Sequence, residues 1–163
     1  ISAILNERKI SYSADSFEAM SDNSPSVSRK AAIGVNESHT LFGKGDVDNI
    51  AFDAMAGLTY TVKTSALKNG ADTYIRIIAP DQATAVASND NRNGADYSLY
   101  PFVPNNCDWT TGECHDNGSD ILGSTASFTA TAAGTYYVEV KSSPNRPLSA
   151  GEYGEYLLTI TSP

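Results

Sequence analysis

Apolar and polar residues alternate along several segments of this 163-residue chain, so that every second side chain is apolar. This period of two is typical of a β-strand with one buried face, because successive side chains of a strand point to opposite sides of the sheet. No segment sustains the i, i+3, i+4, i+7 apolar spacing of an amphipathic helix over three turns. The apolar members of the clearest alternations are Leu58, Tyr60 and Val62, then Tyr136, Val138 and Val140, and finally Tyr156, Leu158 and Ile160. The chain is therefore predicted to consist almost entirely of strands.

Turn-forming residues separate these alternating segments. Gly, Pro and Asn favour tight turns, and they recur between the strand signals at Ala56-Gly57, Asn69-Gly70, Pro80-Asp81 and Ala133-Gly134. Short strands at this spacing predict an all-β fold, a β-sandwich or jelly roll of antiparallel strands. Because chains of roughly 100 to 200 residues usually form one compact unit, we predict a single domain. It covers residues 15–163 and follows a lead-in segment over residues 1–14.

One long segment, residues 91–123, interrupts this spacing and is predicted to be a loop insertion in the sandwich. It contains Cys107 and Cys114, which would close a short ring over the sequence CDWTTGEC. A disulfide between them would stabilise the fold by about 2.5 kcal/mol and would favour an extracytoplasmic location. Two reduced thiols, or a zinc site that combines both cysteines with His115, are the alternatives. We predict the disulfide.

The chain carries a formal net charge of -8, although only 18% of its residues are charged. An acidic chain is a poor match for polyanionic nucleic acid or for an anionic membrane surface, so neither is expected as a partner. No run approaches the ~20 apolar residues that a membrane-spanning helix needs. Cations are the expected electrostatic partners, and the alternative is an acidic surface that serves solubility alone.

Recognisable catalytic motifs are absent from the sequence. It has no Gly-x-Ser-x-Gly elbow and no His-Glu-x-x-His helix, and GKGDVD lacks the third glycine of a dinucleotide-binding fingerprint. The chain has two histidines, His39 and His115, and because neither lies in a catalytic context we interpret both as surface or strand residues. A pair of carboxylates for glycoside hydrolysis stays open, because the distance between them is a tertiary property. We predict that the domain is not an enzyme.

Acidic and amide side chains recur where the predicted strands begin or end, at Asp46 and Asp48, at Asp72, and at Asn89 and Asp90. Calcium takes roughly six to eight oxygen ligands, so oxygens that converge from several strand ends favour this ion. The alternative is that these Asp and Asn residues only form turns and accept hydrogen bonds from their own backbone.

Several short strings stand in order along the chain. They are Phe17-Glu18, Asp22-Asn23, Gly45 to Asp48 with Phe52, Gly70 to Thr73, Ala87 to Asp90 and Gly134 to Val138. In this order they resemble the bacterial pre-peptidase C-terminal domain, a secreted β-sandwich appended to proteases and other exported enzymes. The resemblance covers about residues 15–161. The chain departs from the family pattern in its longer insertion and in Asn49-Ile50, which stands where the family often has an aromatic residue.

The resemblance implies a calcium site. In the family the acidic N-terminal segment folds back beside the Asp-x-Asp turn, and in some members this completes a calcium site. The matching candidate ligands are Glu18, Asp22, Asn23, Asp46 and Asp48. Weaker candidates are Asp15 and, at a second group of strand ends, Asp72, Asn89 and Asp90. Calcium is therefore the expected cofactor.

The resemblance also implies a noncatalytic accessory module of a secreted or cell-surface bacterial protein. Such a module would bind calcium and would stabilise, present or target a parent enzyme or surface protein, whose other domains would be its partners. The alternative is an adhesin-like or substrate-binding module that holds a polysaccharide or a peptide with the insertion. Tyr97, Tyr100 and Trp109 are the candidate ligand-binding residues, because aromatic faces on loops commonly grip sugars and peptides. The same aromatic residues would otherwise pack beneath the insertion as a small separate core.

Overall fold

The computed structural model describes residues 23–43, 45–68, 71–90, 107–108, 113–114, 122–144 and 153–163. Within these residues one short 3-10 turn, Pro25–Val27, precedes the strands. The strands are β1 (Arg29–Lys30), β2 (Asn36–Phe42), β3 (Val47–Ala54), β4 (Thr59–Lys68), β5 (Thr73–Ile78), β6 (Ala85–Asp90), β7 (Cys107–Asp108), β8 (Glu113–Cys114), β9 (Thr125–Thr129), β10 (Gly134–Ser142) and β11 (Tyr153–Thr161). None of the described residues forms a helix long and apolar enough to cross a membrane.

Two sheets pack face to face, and a separate two-stranded hairpin lies between β6 and β9 in the chain. The five-stranded sheet has the order β1-β3-β10-β5-β6, the four-stranded sheet has the order β2-β11-β4-β9, and β7 pairs with β8. Neighbouring strands run antiparallel except β1 and β3, which run parallel. The predicted all-β sandwich is therefore confirmed.

The alternating apolar residues build the core between the two sheets. Each of the inward residues on β10 and β11 is at most 1% exposed, namely Tyr136, Val138 and Val140, and Tyr156, Leu158 and Ile160. Phe52 on β3 occupies the centre of an aromatic cluster in this core. Its ring centroid lies 5.5 Å from that of Tyr60 and 6.2 Å from those of Phe128 and Tyr136.

Leu58 is an exception to the predicted alternation. Strand β4 begins only at Thr59, and Leu58 is 39% exposed because it belongs to the turn between β3 and β4. The Leu58 N–H donates to the carbonyl of Met55 at 3.3 Å, and Gly57 adopts a φ of +82° that few other residues tolerate. The geometry of the turn therefore overrides the apolar pattern at this position.

The starts of β3 and β5 and the ends of β6 and β10 lie side by side at one end of the five-stranded sheet. Val47 at the start of β3 is paired with Lys141, and Ser142 at the end of β10 is paired with Thr73 at the start of β5. Asp90 at the end of β6 is paired with Tyr74, the second residue of β5. We call this end of the sandwich the acidic end, because it carries Asp46, Asp48, Asp72 and Asp90. The β3–β4 and β5–β6 turns lie at the opposite end.

The insertion leaves the sandwich at the acidic end and returns there. The Thr125 N–H donates to Asn89 Oδ1 at 2.9 Å, which ties β9 to the end of β6. Leu122 is only 5% exposed, and its carbonyl accepts a hydrogen bond from the Thr73 N–H at 3.2 Å. Leu122 falls within the segment predicted as the insertion, and its side chain joins the core of the sandwich.

Three buried hydroxyl groups hold the returning chain. Thr64 Oγ1 and Thr73 Oγ1 are 2.6 Å apart, and the Ser124 N–H donates to Thr64 Oγ1 at 2.8 Å. The Ser124 hydroxyl also donates to the carbonyl of Thr73. Because Thr64 lies on the four-stranded sheet and Thr73 on the five-stranded sheet, this group links both sheets to the base of the insertion.

The hairpin of β7 and β8 places Cys107 directly opposite Cys114 in an antiparallel pair. Opposite residues of such a pair have Cα atoms about 4.5 to 5.5 Å apart, which lies within the range for disulfides. The backbone is therefore compatible with the predicted disulfide, which stays a prediction.

Candidate functional site

The first part of the acidic end is the turn between β2 and β3. The Asp46 N–H donates to the carbonyl of Gly43 at 3.2 Å, and the Asp46 carboxylate accepts a hydrogen bond from the Phe42 N–H at 2.7 Å. Gly45 adopts a φ of +87°, a conformation that residues with a side chain rarely take. These contacts hold the half-buried Asp46 carboxylate at the start of β3.

Asn23 brings the N-terminal segment to the same place. Its side-chain oxygen Oδ1 accepts a hydrogen bond from the Val47 N–H at 2.9 Å, and Val47 stands between Asp46 and Asp48 in the chain. Asn23, one of the predicted calcium ligands, is therefore bonded to the residue that separates two others, Asp46 and Asp48, at the start of β3.

The other predicted site residues of the N-terminal segment and of the insertion lie outside the described residues. They are Asp15, Glu18 and Asp22 among the candidate ligands, and Tyr97, Tyr100 and Trp109 among the candidate binding residues. Their roles stay predictions.

Asp48 lies deeper in the sandwich than Asp46. It is fully buried on β3, and its Oδ2 accepts a hydrogen bond from the hydroxyl of Tyr156 on β11. This hydrogen bond crosses from the five-stranded to the four-stranded sheet. Hydrogen bonds to an ionised carboxylate are roughly twice as strong as neutral ones, and a buried carboxylate needs such partners.

His39 extends this buried polar group. It lies opposite Tyr156 in the β2–β11 pair, is fully buried, and stacks on the tyrosine ring with centroids 5.4 Å apart and planes 17° apart. Its Nε2 lies 3.7 Å from the carboxylate of Glu37. The sequence interpretation of His39 as a strand residue is correct, but it missed the contact with Tyr156. The available signal was its even spacing from Leu41, which places both side chains on the inward face of β2.

The second group of candidate ligands occupies the neighbouring part of the acidic end. Asp72 is 1% exposed, and its carbonyl accepts a hydrogen bond from the Ser143 N–H at 2.9 Å. Asp90 is half-buried, and its Oδ2 accepts a hydrogen bond from the Ser143 hydroxyl at 3.0 Å. Asp72 and Asp90 therefore both bond to Ser143. Asn89 accepts a hydrogen bond instead from the N–H of Thr125 at the start of β9.

Oxygen atoms are the donors that the acidic end offers. Carboxylate and amide oxygens suit calcium, whereas zinc favours His and Cys ligands. Within the described ranges, no group of three or more His, Cys, Asp or Glu side chains is arranged to hold a metal ion. Asn23, Asp46 and Asp48 fit calcium by their chemistry, but calcium takes roughly six to eight ligands, so other donors would have to complete the site.

Asp81 lies in the β5–β6 turn, at the end of the sheet opposite the acidic end. It accepts hydrogen bonds from the Thr84 hydroxyl and from the N–H groups of Thr84 and Ala83. These hydrogen bonds, with the Thr84 hydroxyl as the largest contribution, hold the pKa of Asp81 below its ordinary value. Asp81 therefore stabilises a turn and serves as a reference carboxylate remote from the acidic end.

A five-stranded sheet packed on a four-stranded sheet, with carboxylates gathered at one end, defines a small β-sandwich module. Among solved structures, this fold is similar to the pre-peptidase C-terminal domain of a collagenase from Bacillus anthracis. The TM-score is 0.50 at 13% sequence identity, over 82% of this chain and 93% of that chain. The fold is therefore that of a pre-peptidase C-terminal domain, as the sequence strings predicted.

Two further similar structures are periplasmic inhibitors of g-type lysozyme, each named PliG. The protein from Salmonella Typhimurium has a TM-score of 0.48 at 16% identity, over 83% of this chain and 98% of that chain. The protein from Aeromonas hydrophila has a TM-score of 0.43 at 17% identity, over 82% of this chain and 96% of that chain. No protein-family model and no curated protein matches the sequence.

Proposed function

We propose that this chain is a noncatalytic, calcium-binding accessory module of a secreted or cell-surface bacterial protein, and that it stabilises, presents or targets its parent protein. The observation that carries the proposal is the hydrogen bond from the Val47 N–H to Asn23 Oδ1. It joins Asn23 to the residue between Asp46 and Asp48, at the strand start where the sequence resemblance predicts the ion.

Glu18, Asp22, Asn23, Asp46 and Asp48 are the residues that would hold calcium. The Phe42 N–H donates to the Asp46 carboxylate and the Tyr156 hydroxyl donates to the Asp48 carboxylate, and these hydrogen bonds hold two of the proposed ligands at the start of β3. When bound, calcium would offset the mutual repulsion of these carboxylates and cross-link the N-terminal segment to β3.

The environment of His39 supports a noncatalytic role. A histidine that acts as a general base must reach the substrate within hydrogen-bond distance. His39 is fully buried and stacked on Tyr156, so its ring is not presented to a substrate at the surface. The fold shared with a domain of a collagenase supports an accessory role, and the predicted disulfide supports an extracytoplasmic location.

Thermal melting in calcium and in chelator tests the proposal. A ligand at a hundred times its dissociation constant adds about 2.7 kcal/mol to the free energy of unfolding. For a chain of this size we expect the melting temperature to be about 5 to 10 °C higher in calcium than in chelator. Asp46→Asn should reduce this calcium shift, because it removes a charge at nearly constant volume and keeps an oxygen for the Phe42 N–H.

Asp81→Asn is the matched control. It weakens the hydrogen bonds of the β5–β6 turn, so its melting temperature in chelator should fall, but its calcium shift should equal that of the wild type. Identical wild-type curves in calcium and in chelator would exclude the calcium site. Equal loss of the calcium shift in both variants would contradict the assignment of Asp46 as a ligand.

A second candidate function is the binding of a polysaccharide or peptide through the insertion. The anchoring of the insertion supports it: the Thr125 N–H to Asn89 hydrogen bond and the buried hydroxyl groups of Thr64, Thr73 and Ser124 fix its base. A loop on a rigid base loses less conformational entropy when it binds a partner.

Replacement of residues 92–118 by a short Gly-containing turn tests this second function. We expect the variant to fold, because the contacts at the base lie outside the replaced segment. A glycan and peptide array should identify a ligand for the wild type that the variant no longer binds, and Trp109→Ala should weaken that binding by about 1 kcal/mol or more. Full binding by the variant would rule out the insertion, and failure to fold would show that its aromatic residues belong to the core.

A further inference from the structure

Tyr156 makes a contact that sets it apart from the other buried tyrosines of the described structure. Tyr60, Tyr136 and Tyr156 are each at most 2% exposed. The Tyr60 hydroxyl accepts from the Met55 N–H and the Tyr136 hydroxyl donates to the carbonyl of Ala132, so both bond to backbone at the end opposite the acidic end. The Tyr156 hydroxyl donates to the carboxylate of Asp48, at the acidic end.

Stacking fixes the ring of Tyr156. His39 lies opposite it in the β2–β11 register and stacks on it with centroids 5.4 Å apart. Both rings are fully buried, so neither can turn without displacing its neighbours in the core. The hydroxyl of Tyr156 is therefore held at one place above β3.

Strand β4, which pairs with β11, has a β-bulge opposite Tyr156. Along β4 and β11 the register passes from the Lys68–Glu155 pair to the Ser65–Leu157 pair, so β4 has an additional residue opposite Tyr156. Within this bulge Ala66 adopts a φ of +50°, which is uncommon for a residue with a side chain. Bulges bend a strand and redirect side chains, and they are frequent beside functional sites.

We propose that Tyr156 is a positioning residue for the calcium site, and this inference rests on the proposed function. Its hydroxyl holds one oxygen of the Asp48 carboxylate and thereby fixes the orientation of that carboxylate before the ion binds. Residues that orient a metal ligand through a hydrogen bond contribute to affinity without touching the ion. His39 and the β4 bulge hold the tyrosine, so the three elements β2, β4 and β11 act on a ligand of β3.

Calcium titration of Tyr156→Phe by calorimetry tests this role. We expect the dissociation constant to rise about 10- to 100-fold, the usual effect of losing an orienting partner of a ligand. Tyr136→Phe is the matched control, because it removes an equally buried hydroxyl at the opposite end. Both variants should melt at a lower temperature in chelator than the wild type, but Tyr136→Phe should keep the wild-type dissociation constant.

A double-mutant cycle separates positioning from general destabilisation. In the Asp48→Asn background, Tyr156→Phe should change the dissociation constant much less than in the wild type, because the oriented carboxylate is already lost. His39→Gln removes the stacked ring and leaves the hydroxyl, so it should raise the dissociation constant in the same direction. If Tyr156→Phe does not fold, the dissociation constant of His39→Gln tests whether Tyr156 positions Asp48.

Each outcome has a distinct meaning. Absence of calcium binding by the wild type would overturn the proposed function and this inference with it. Calcium binding by the wild type with an unchanged dissociation constant in Tyr156→Phe, or in His39→Gln if Tyr156→Phe does not fold, would overturn the inference alone. Equal changes in Tyr156→Phe and Tyr136→Phe would show that Tyr156 only contributes to the stability of the core.

Discussion

Phe52→Ala is expected to lower the free energy of unfolding by about 3 to 5 kcal/mol. Phe52 is fully buried, and its ring contacts those of Tyr60, Phe128 and Tyr136 with centroids 5.5 to 6.2 Å apart. Its truncation removes the transfer free energy of the ring and leaves a cavity that these three aromatic side chains, all on strands, can fill only in part. The loss should be the same in calcium and in chelator, because Phe52 lies away from the acidic end.

Chemical denaturation followed by far-UV circular dichroism measures this loss as a lower midpoint at unchanged slope. Met55→Ala is the control, because Met55 stands just beyond the end of β3 and is 66% exposed. It should change the free energy of unfolding by no more than about 0.5 kcal/mol. A loss below about 1 kcal/mol for Phe52→Ala would contradict the central place of this ring in the core.

Gly154→Ala is expected to destabilise the fold by about 2 to 5 kcal/mol, through backbone strain and overpacking together. Gly154 has a φ of +149°, and a Cβ there would lie 2.5 Å from the carbonyl oxygen of Lys68 and 2.7 Å from the amide nitrogen and Cβ of Ala71. Two of these three contacts are with backbone atoms, which cannot rotate away. Either β11 or the chain after β4 would have to move to admit a methyl group.

Gly57→Ala separates the two causes. Gly57 has a φ of +82°, but no heavy atom lies within 4 Å of the place of its Cβ. Only the left-handed backbone is unfavourable there, at a cost of about 1 to 2 kcal/mol. Thermal melting should therefore rank the wild type above Gly57→Ala and Gly57→Ala above Gly154→Ala. Equal melting temperatures for the two variants would contradict the close approach of β11 to Lys68 and Ala71.

The two ends of β3 have different environments. Phe52 anchors the aromatic part of the core, and Asp48 reaches Tyr156 at the acidic end. Substitutions at the aromatic end should change stability without changing the calcium shift, whereas Asp46→Asn should change the calcium shift. Comparison of both sets of variants in calcium and in chelator therefore separates the stability of the sandwich from the function proposed for it.

The fold class and much of the core follow from the amino-acid pattern alone. The period of two is a local property of a pleated strand, so Tyr136, Val138 and Val140 could be assigned to a buried face without knowledge of their neighbours. Local rules failed where a turn or a distant contact decided the outcome. Leu58 falls in a turn, and Leu122 joins the core although it lies within the predicted insertion.

Part of the candidate site was also readable from the sequence. The resemblance named Asn23, Asp46 and Asp48 as ligands, and in the structure Asn23 accepts a hydrogen bond from Val47, the residue between the two aspartates. Their binding of calcium, the participation of Glu18 and Asp22, and the partners of the insertion stay predictions, because no described contact tests them.

The contacts between buried polar groups depend on how the whole chain packs. Tyr156 and Asp48 are 108 positions apart and belong to different sheets, and His39 joins them from a third strand. Alternation shows that each of these side chains points inward, but strand order and register determine which inward side chains face one another. Both arise from packing of the whole chain, and for this reason the hydrogen bond between Tyr156 and Asp48 could not be read from the sequence.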